Sequence, residues 1–251
     1  MQRIFILFFS FIAFTAKAQN YYYAAAKTGI SLREAPTASA KVLEKIAYAE
    51  KVEPLADTMS SKAITTEGFN GFWWKVKYNN KEGYVVSNYL LSVPPPKAGT
   101  KNLKEYFAQL SSATASPLVI KKTNDALNEM GESSLTKQFF KNGMEWHEAQ
   151  GYETSSEVYI LPGFTIEQAF LLLRILNQYS NCIAEKDPFP TKKSSITSSI
   201  GEKTVDVEHD MFDGKPGEIK KVIITNTQGA ITELSIFLLD NQAVIYWTSG
   251  V

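Results

Sequence analysis

At 251 residues the chain is long enough for one or two domains, and with 44% hydrophobic and 21% charged residues its composition is that of an ordinary globular protein. The 26 basic residues balance 26 acidic ones, so no basic excess exists to release counterions from phosphates, and nothing favours nucleic acid as a partner. Cys182 is the one cysteine, which excludes an intrachain disulfide and leaves the fold to stand on its core.

The chain starts with a basic Met1-Gln2-Arg3, then an apolar run from Ile4 to Phe14 broken by Ser10, then Ala16-Lys17-Ala18. The run is shorter than the ~20 residues a membrane-spanning helix needs. Together the three features predict a signal peptide over 1–18, cleaved after Ala18, and hence a periplasmic or extracellular protein. No later segment is apolar enough to span a membrane, so the mature chain is expected to have no membrane span.

From Asn20 to Leu91 the segments are short and β-like. Tyr21–Ala25, Lys41–Ile46, Glu50–Leu55, Phe72–Tyr78 and Glu82–Val86 read as strands, with Asn79-Asn80-Lys81 as a tight hairpin turn. Thr58–Asn70 reads as a polar loop. Short strands at close spacing suggest a small barrel of about 70 residues, near the minimum for an independent core. Residues 93–100 contain Pro94-Pro95-Pro96, which can continue neither ladder nor helix and reads as a stiff linker. The expected organisation is therefore a leader over 1–18, a barrel over 19–92, a Pro-rich linker over 93–100 and a second domain over 101–251, each domain folding alone.

The barrel segment carries a resemblance. Ile30-Ser31-Leu32-Arg33-Glu34-Ala35-Pro36 with Val42-Leu43, then Gly71-Phe72-Trp73-Trp74-Lys75-Val76-Lys77-Tyr78, Gly83-Tyr84-Val85 and the closing Ser87-Asn88-Tyr89-Leu90 resemble, in order and spacing, the bacterial SH3-like domains. Ser31, Phe72 and Tyr84 depart from the usual pattern. The resemblance implies an all-β SH3-like barrel that binds a peptide-like ligand through aromatic residues. By the same resemblance these are Trp73 and Tyr89, with Tyr23 or Tyr21 from the opening strand. Trp74, on the parity of Val76 and Tyr78, is expected on the core face.

The second half reads as α+β, an antiparallel sheet packed by one long helix. Leu103, Phe107 and Leu110 share a helix face behind a capping-box spacing of Asn102 and Glu105. Lys141-Asn142-Gly143-Met144 marks a hairpin, and Glu157–Leu161 reads as a strand. Thr165 and Gln168 cap a helix from Ile166 to about Tyr179. Lys192–Gly201 reads as a Ser/Thr-rich loop. Lys221–Thr225, Ile231–Leu239 and Ala243–Thr248 form a meander whose middle strand, apolar on both faces, belongs at the centre under the helix. No family resemblance is identified in this half.

No residue stands in a recognisable catalytic setting in the sequence. Cys182 follows a helix C-terminus, where the macrodipole opposes a thiolate. A catalytic zinc needs at least three protein ligands, usually with two His, and the chain has only His147 and His209. Glu145-Trp146-His147-Glu148 fits a strand with Trp146 in the core. Asp206-Val207-Glu208-His209-Asp210, with Asp213, lines up carboxylates without the ordered spacing of a calcium loop, and a solvated acidic face explains it. No cofactor motif is present. The expectation is a non-enzymatic envelope protein that recognises peptidoglycan peptide or an envelope protein. The alternatives are a cell-wall hydrolase with an unfamiliar catalytic domain, or an inhibitor or immunity-type protein.

Overall fold

The computed structural model describes residues 21–55, 62–123, 132–199, 201–212 and 215–250. The leader expected over 1–18 and part of the Thr58–Asn70 loop lie outside them. Eight short strands build the N-terminal body: β1 (Tyr22–Ala24), β2 (Ile30–Arg33), β3 (Val42–Ile46), β4 (Lys51–Pro54), β5 (Ala63–Thr66), β6 (Phe69–Tyr78), β7 (Lys81–Val86) and β8 (Leu90–Leu91). They pair in the order β3-β2-β7-β6-β4-β1-β8, with β5 added to β6. The β6–β7 hairpin turns on Asn79 and Asn80, both at positive φ, which a two-residue turn of this hand requires. Ala24, Ile30, Leu32, Ile46, Val52, Val76, Val85 and Leu90 fill the barrel. Trp74 packs on that cluster, edge-on to Tyr22 with centroids 4.9 Å apart.

The described end of the expected Thr58–Asn70 loop is not irregular. Thr66 pairs with Phe69 across Glu67 and Gly68, both at positive φ, so β5 and β6 form a second two-residue hairpin. Polar residues at exposed strand positions concealed it, because a hairpin standing off the barrel needs no apolar alternation of its own.

The C-terminal body is mostly β. A meander of β9 (Leu118–Thr123), β10 (Glu132–Phe139), β11 (Glu145–Gly151) and β12 (Thr154–Pro162) leads through a helix into β13 (Ser194–Ser198), β14 (Gly201–Phe212), β15 (Lys215–Asn226), β16 (Ile231–Leu239) and β17 (Gln242–Gly250). β17 returns beside β12, closing one antiparallel nine-stranded sheet with β16 in its interior. Trp146, Tyr159, Ile245, Ile236 and Val222 form one cross-strand row on the inner face. Two helices, α1 (Leu103–Leu110) and α2 (Ile166–Leu176), contribute to the same core.

Both N-termini follow the sequence. Asn102 accepts from the Glu105 N–H at 2.8 Å, although the Glu105 carboxylate turns to the Lys101 N–H instead of completing a capping box. Thr165 and Gln168 form a full box. α2 is eleven residues long and stops short of Tyr179, because Asn177 adopts the left-handed conformation and ends it. Within the expected Lys192–Gly201 loop, Ser194–Ser198 is a strand: it pairs along β14 as a fully exposed edge, held by backbone hydrogen bonds without a buried face.

The prolines interrupt the ladder as expected, yet the segment is anchored instead of spanning free solvent. Pro95 and Pro96 are buried, Tyr106 donates to the Pro94 carbonyl at 2.8 Å, and Tyr48 donates to that of Pro96 at 2.7 Å. The two bodies also share one hydrophobic cluster, in which Ala25, Phe69 and Leu91 of the barrel join Phe170, Phe189 and the sheet's inner face. Among the described residues no helix is long and apolar enough to cross a membrane.

Candidate ligand cleft between the barrel and the second body

β6 carries two functional faces. Trp74, Val76 and Tyr78 turn into the barrel, while Phe69 and Trp73 turn outward. The parity expected from the sequence is therefore correct, but the outward face is not open to solvent. Phe69 packs against Phe170 and Phe189, with centroid distances of 6.0 and 5.4 Å, and those two rings also touch each other at 5.4 Å. Trp73 is only 3% exposed, so it is a wall residue and not the half-exposed ring a free barrel would present.

A cleft of about 670 Å³ lies along this boundary. One side is barrel: the segment Ala25–Ser31, Arg33, Trp73, Val86 and Tyr89. The β5–β6 hairpin adds Ile64, Thr66 and Glu67. The other side is the second body, with Leu171, Arg174 and Ile175 from α2, then Glu185 and Lys186. Such a volume suits a small ligand or short peptide, not the broad face of a folded partner. Of the three residues nominated from the sequence, Trp73 and Tyr89 come together in this cleft. Tyr23 does not line it. On β1 it stands opposite Lys51 of β4, whose ammonium lies 5.7 Å from its ring.

Two ion pairs tie the walls together. Arg174 Nη2 donates to Glu67 at 2.9 Å, Arg174 Nε donates to the Glu185 carbonyl at 3.0 Å, and the guanidinium lies 5.4 Å from the Phe69 ring centroid. Lys27 donates to Glu185 at 2.7 Å. Behind them the Phe189 N–H donates to the Glu67 carbonyl at 2.8 Å, and Gln168 donates to that of Leu90 at 3.2 Å. The Lys27 ammonium, assisted by Lys186 and Arg174, holds the Glu185 carboxyl below the usual range. Burial, and then the Glu67 carboxylate, push the Tyr89 hydroxyl up to about 12, so it enters the cleft as a neutral hydrogen-bonding group. Sequence reasoning missed Glu67, Arg174, Lys27 and Glu185, which meet only through tertiary packing.

Residues 28–91 match the family model of the bacterial SH3 domain. The barrel is a bacterial SH3 domain. Modules of this kind serve as cell-wall or peptidoglycan-binding units and also bind proteins. Comparisons with curated proteins and with solved structures gave no match. In this SH3 domain the aromatic surface expected to meet a ligand is roofed by a second body, so the cleft is a composite.

The titratable side chains weighed for catalysis have separate surroundings. His147 pairs with Glu145 at 3.0 Å on β11, and Trp146 is buried on the opposite face as expected. His209 meets the Gly217 carbonyl at 3.1 Å on β14. Cys182 is buried with its sulfur 3.7 Å from the Thr232 hydroxyl, and burial raises its thiol. None of the three lines the cleft.

Proposed function

We propose that this is an exported, non-enzymatic protein of the cell envelope whose SH3 domain recognises a peptide of peptidoglycan, with the second body as part of the recognition surface. The observation that carries this reading is the convergence of Trp73 and Tyr89 on one cleft of peptide-ligand size. Aromatic walls give large contact area at low entropy cost, and the Tyr89 hydroxyl, engaged with Glu67 and Arg174, keeps a polar edge at the cleft. The basic, apolar and small-residue pattern of residues 1–18 supports export. The separate settings of Cys182, His147 and His209 support binding without catalysis.

The test is retention of the exported protein on purified sacculi, its intact mass first confirming a chain that starts at Gln19. Ser31→Trp places a bulky ring in the cleft lining and should reduce retention at least about tenfold while the melting temperature is kept, since Ser31 is only half-buried. Undiminished retention by a folded Ser31→Trp protein moves the site away from this cleft.

A further inference from the structure

The charges along the cleft do not balance. Lys27, Arg33, Arg174 and Lys186 line it against Glu67 and Glu185. Both carboxylates already have cations across the boundary: Glu67 holds Arg174, and Glu185 holds Lys27. Among the described residues, no ion pair within 4.0 Å neutralises Arg33 or Lys186. Arg33 spends one N–H on the Ala40 carbonyl at 2.7 Å. Lys186 is exposed, and the carboxylates on either side of it in the chain already hold other cations, Glu185 with Lys27 at 2.7 Å and Asp187 with Lys203 at 3.0 Å. The unmatched charge is therefore positive and lines the same cleft as Trp73 and Tyr89. An ammonium that must desolvate toward a ligand gains most from a carboxylate, since the charge-assisted hydrogen bond is about twice as strong as a neutral one.

We propose that the composite cleft selects a short peptide bearing a free carboxylate, bound by Lys186 of the second body with Arg33 of the barrel, while Trp73 and Tyr89 contact the peptide's less polar part. The inference rests on the peptide-binding reading above and adds to it the chemical class of the ligand and a binding residue outside the SH3 domain. Lys186 is the residue to test, because its side chain is exposed and lies in none of the ties between the two walls.

The experiment is isothermal titration of the mature full-length chain with a soluble muropeptide whose stem-peptide carboxylates are free, and with the same muropeptide after amidation. The free acid should bind at least about tenfold more tightly than the amide. Lys186→Glu should remove that preference by weakening the acid alone, and Lys186→Arg should restore it. Equal affinity for acid and amide, or a Lys186→Glu loss shared by both, overturns the carboxylate proposal and leaves the peptide cleft standing. Failure of wild type to bind either form, at concentrations where the protein is retained on sacculi, overturns both.

Discussion

Gly68→Ala tests whether the SH3 domain is locked to the second body. Gly68 sits at φ +80 in the β5–β6 turn, and a Cβ built there would lie 2.1 Å from the Phe189 carbonyl oxygen. That neighbour is backbone and cannot rotate aside. The left-handed conformation alone costs an alanine about 1–2 kcal/mol. Relieving the clash means withdrawing the hairpin, which breaks the Phe189 N–H to Glu67 bond, worth about 1 kcal/mol net. It also loosens Phe69 from Phe170 and Phe189, at about another 1–2 kcal/mol for partial re-exposure of an aromatic. The total is about 3–5 kcal/mol. Gly99 is the internal control: its φ is +86 and nothing lies within 4 Å of a built Cβ, so Gly99→Ala reports backbone strain alone. Urea unfolding of both variants, followed by tryptophan fluorescence and by circular dichroism, gives the difference. Gly68→Ala should exceed Gly99→Ala by about 2–3 kcal/mol. Losses equal to within about 0.5 kcal/mol would refute the docked hairpin, since nothing but strain would then have been paid.

Alkali should unfold the protein in a defined window. Burial pushes the Tyr48 and Tyr89 hydroxyls up to about 12 and raises those of Tyr106, Tyr159 and Tyr179 as well. The folded state thus keeps protons that the unfolded chain releases near pH 10, so stability is intact below about 10 and falls as pH rises toward 12. Tyrosinate absorbance should rise in two phases, the later one coinciding with loss of structure; a single phase near 10 with the fold retained would contradict the burial. Cys182 should react with a thiol reagent only after denaturant is added, and Cys182→Ser, whose hydroxyl can still reach Thr232, should lower stability by about 1–2 kcal/mol without reducing sacculus retention. Rapid labelling of the native protein would show that the site opens.

What could be read from the sequence is what local chemistry decides. Asn79-Asn80 dictates its turn, Thr165 and Gln168 dictate the start of α2, and an apolar run on both faces of Ile231–Leu239 dictates an interior strand. Trp73 and Tyr89 were legible because their motif fixes their place on the barrel. Parity also assigned Trp74 to the core face, but parity says nothing about what covers the other face, where Trp73 lies. The cover comes from residues such as Arg174, 107 positions from Glu67, and Glu185, 158 positions from Lys27. β9 and β13 escaped notice for a different reason. Leu118-Val119-Ile120-Lys121-Lys122 has no alternation and Ser194–Ser198 has almost no apolar content, because edge strands are recruited by the ladder beside them and bury little of their own.

The shared hydrophobic cluster bears on how such a protein can be recombined. A module that travels between proteins must present a sealed surface at its cut ends, and this barrel does not. Excised, it would present Phe69, Leu91 and Ala25 to water and lose the Phe189 backbone that its hairpin tip leans on. Transplanting it onto another scaffold therefore requires either carrying α2 and the Phe189 loop along or rewriting the outward side of β6 with polar residues. Barrel and sheet thus draw on one continuous hydrophobic cluster, although the chain between them reads as a stiff linker.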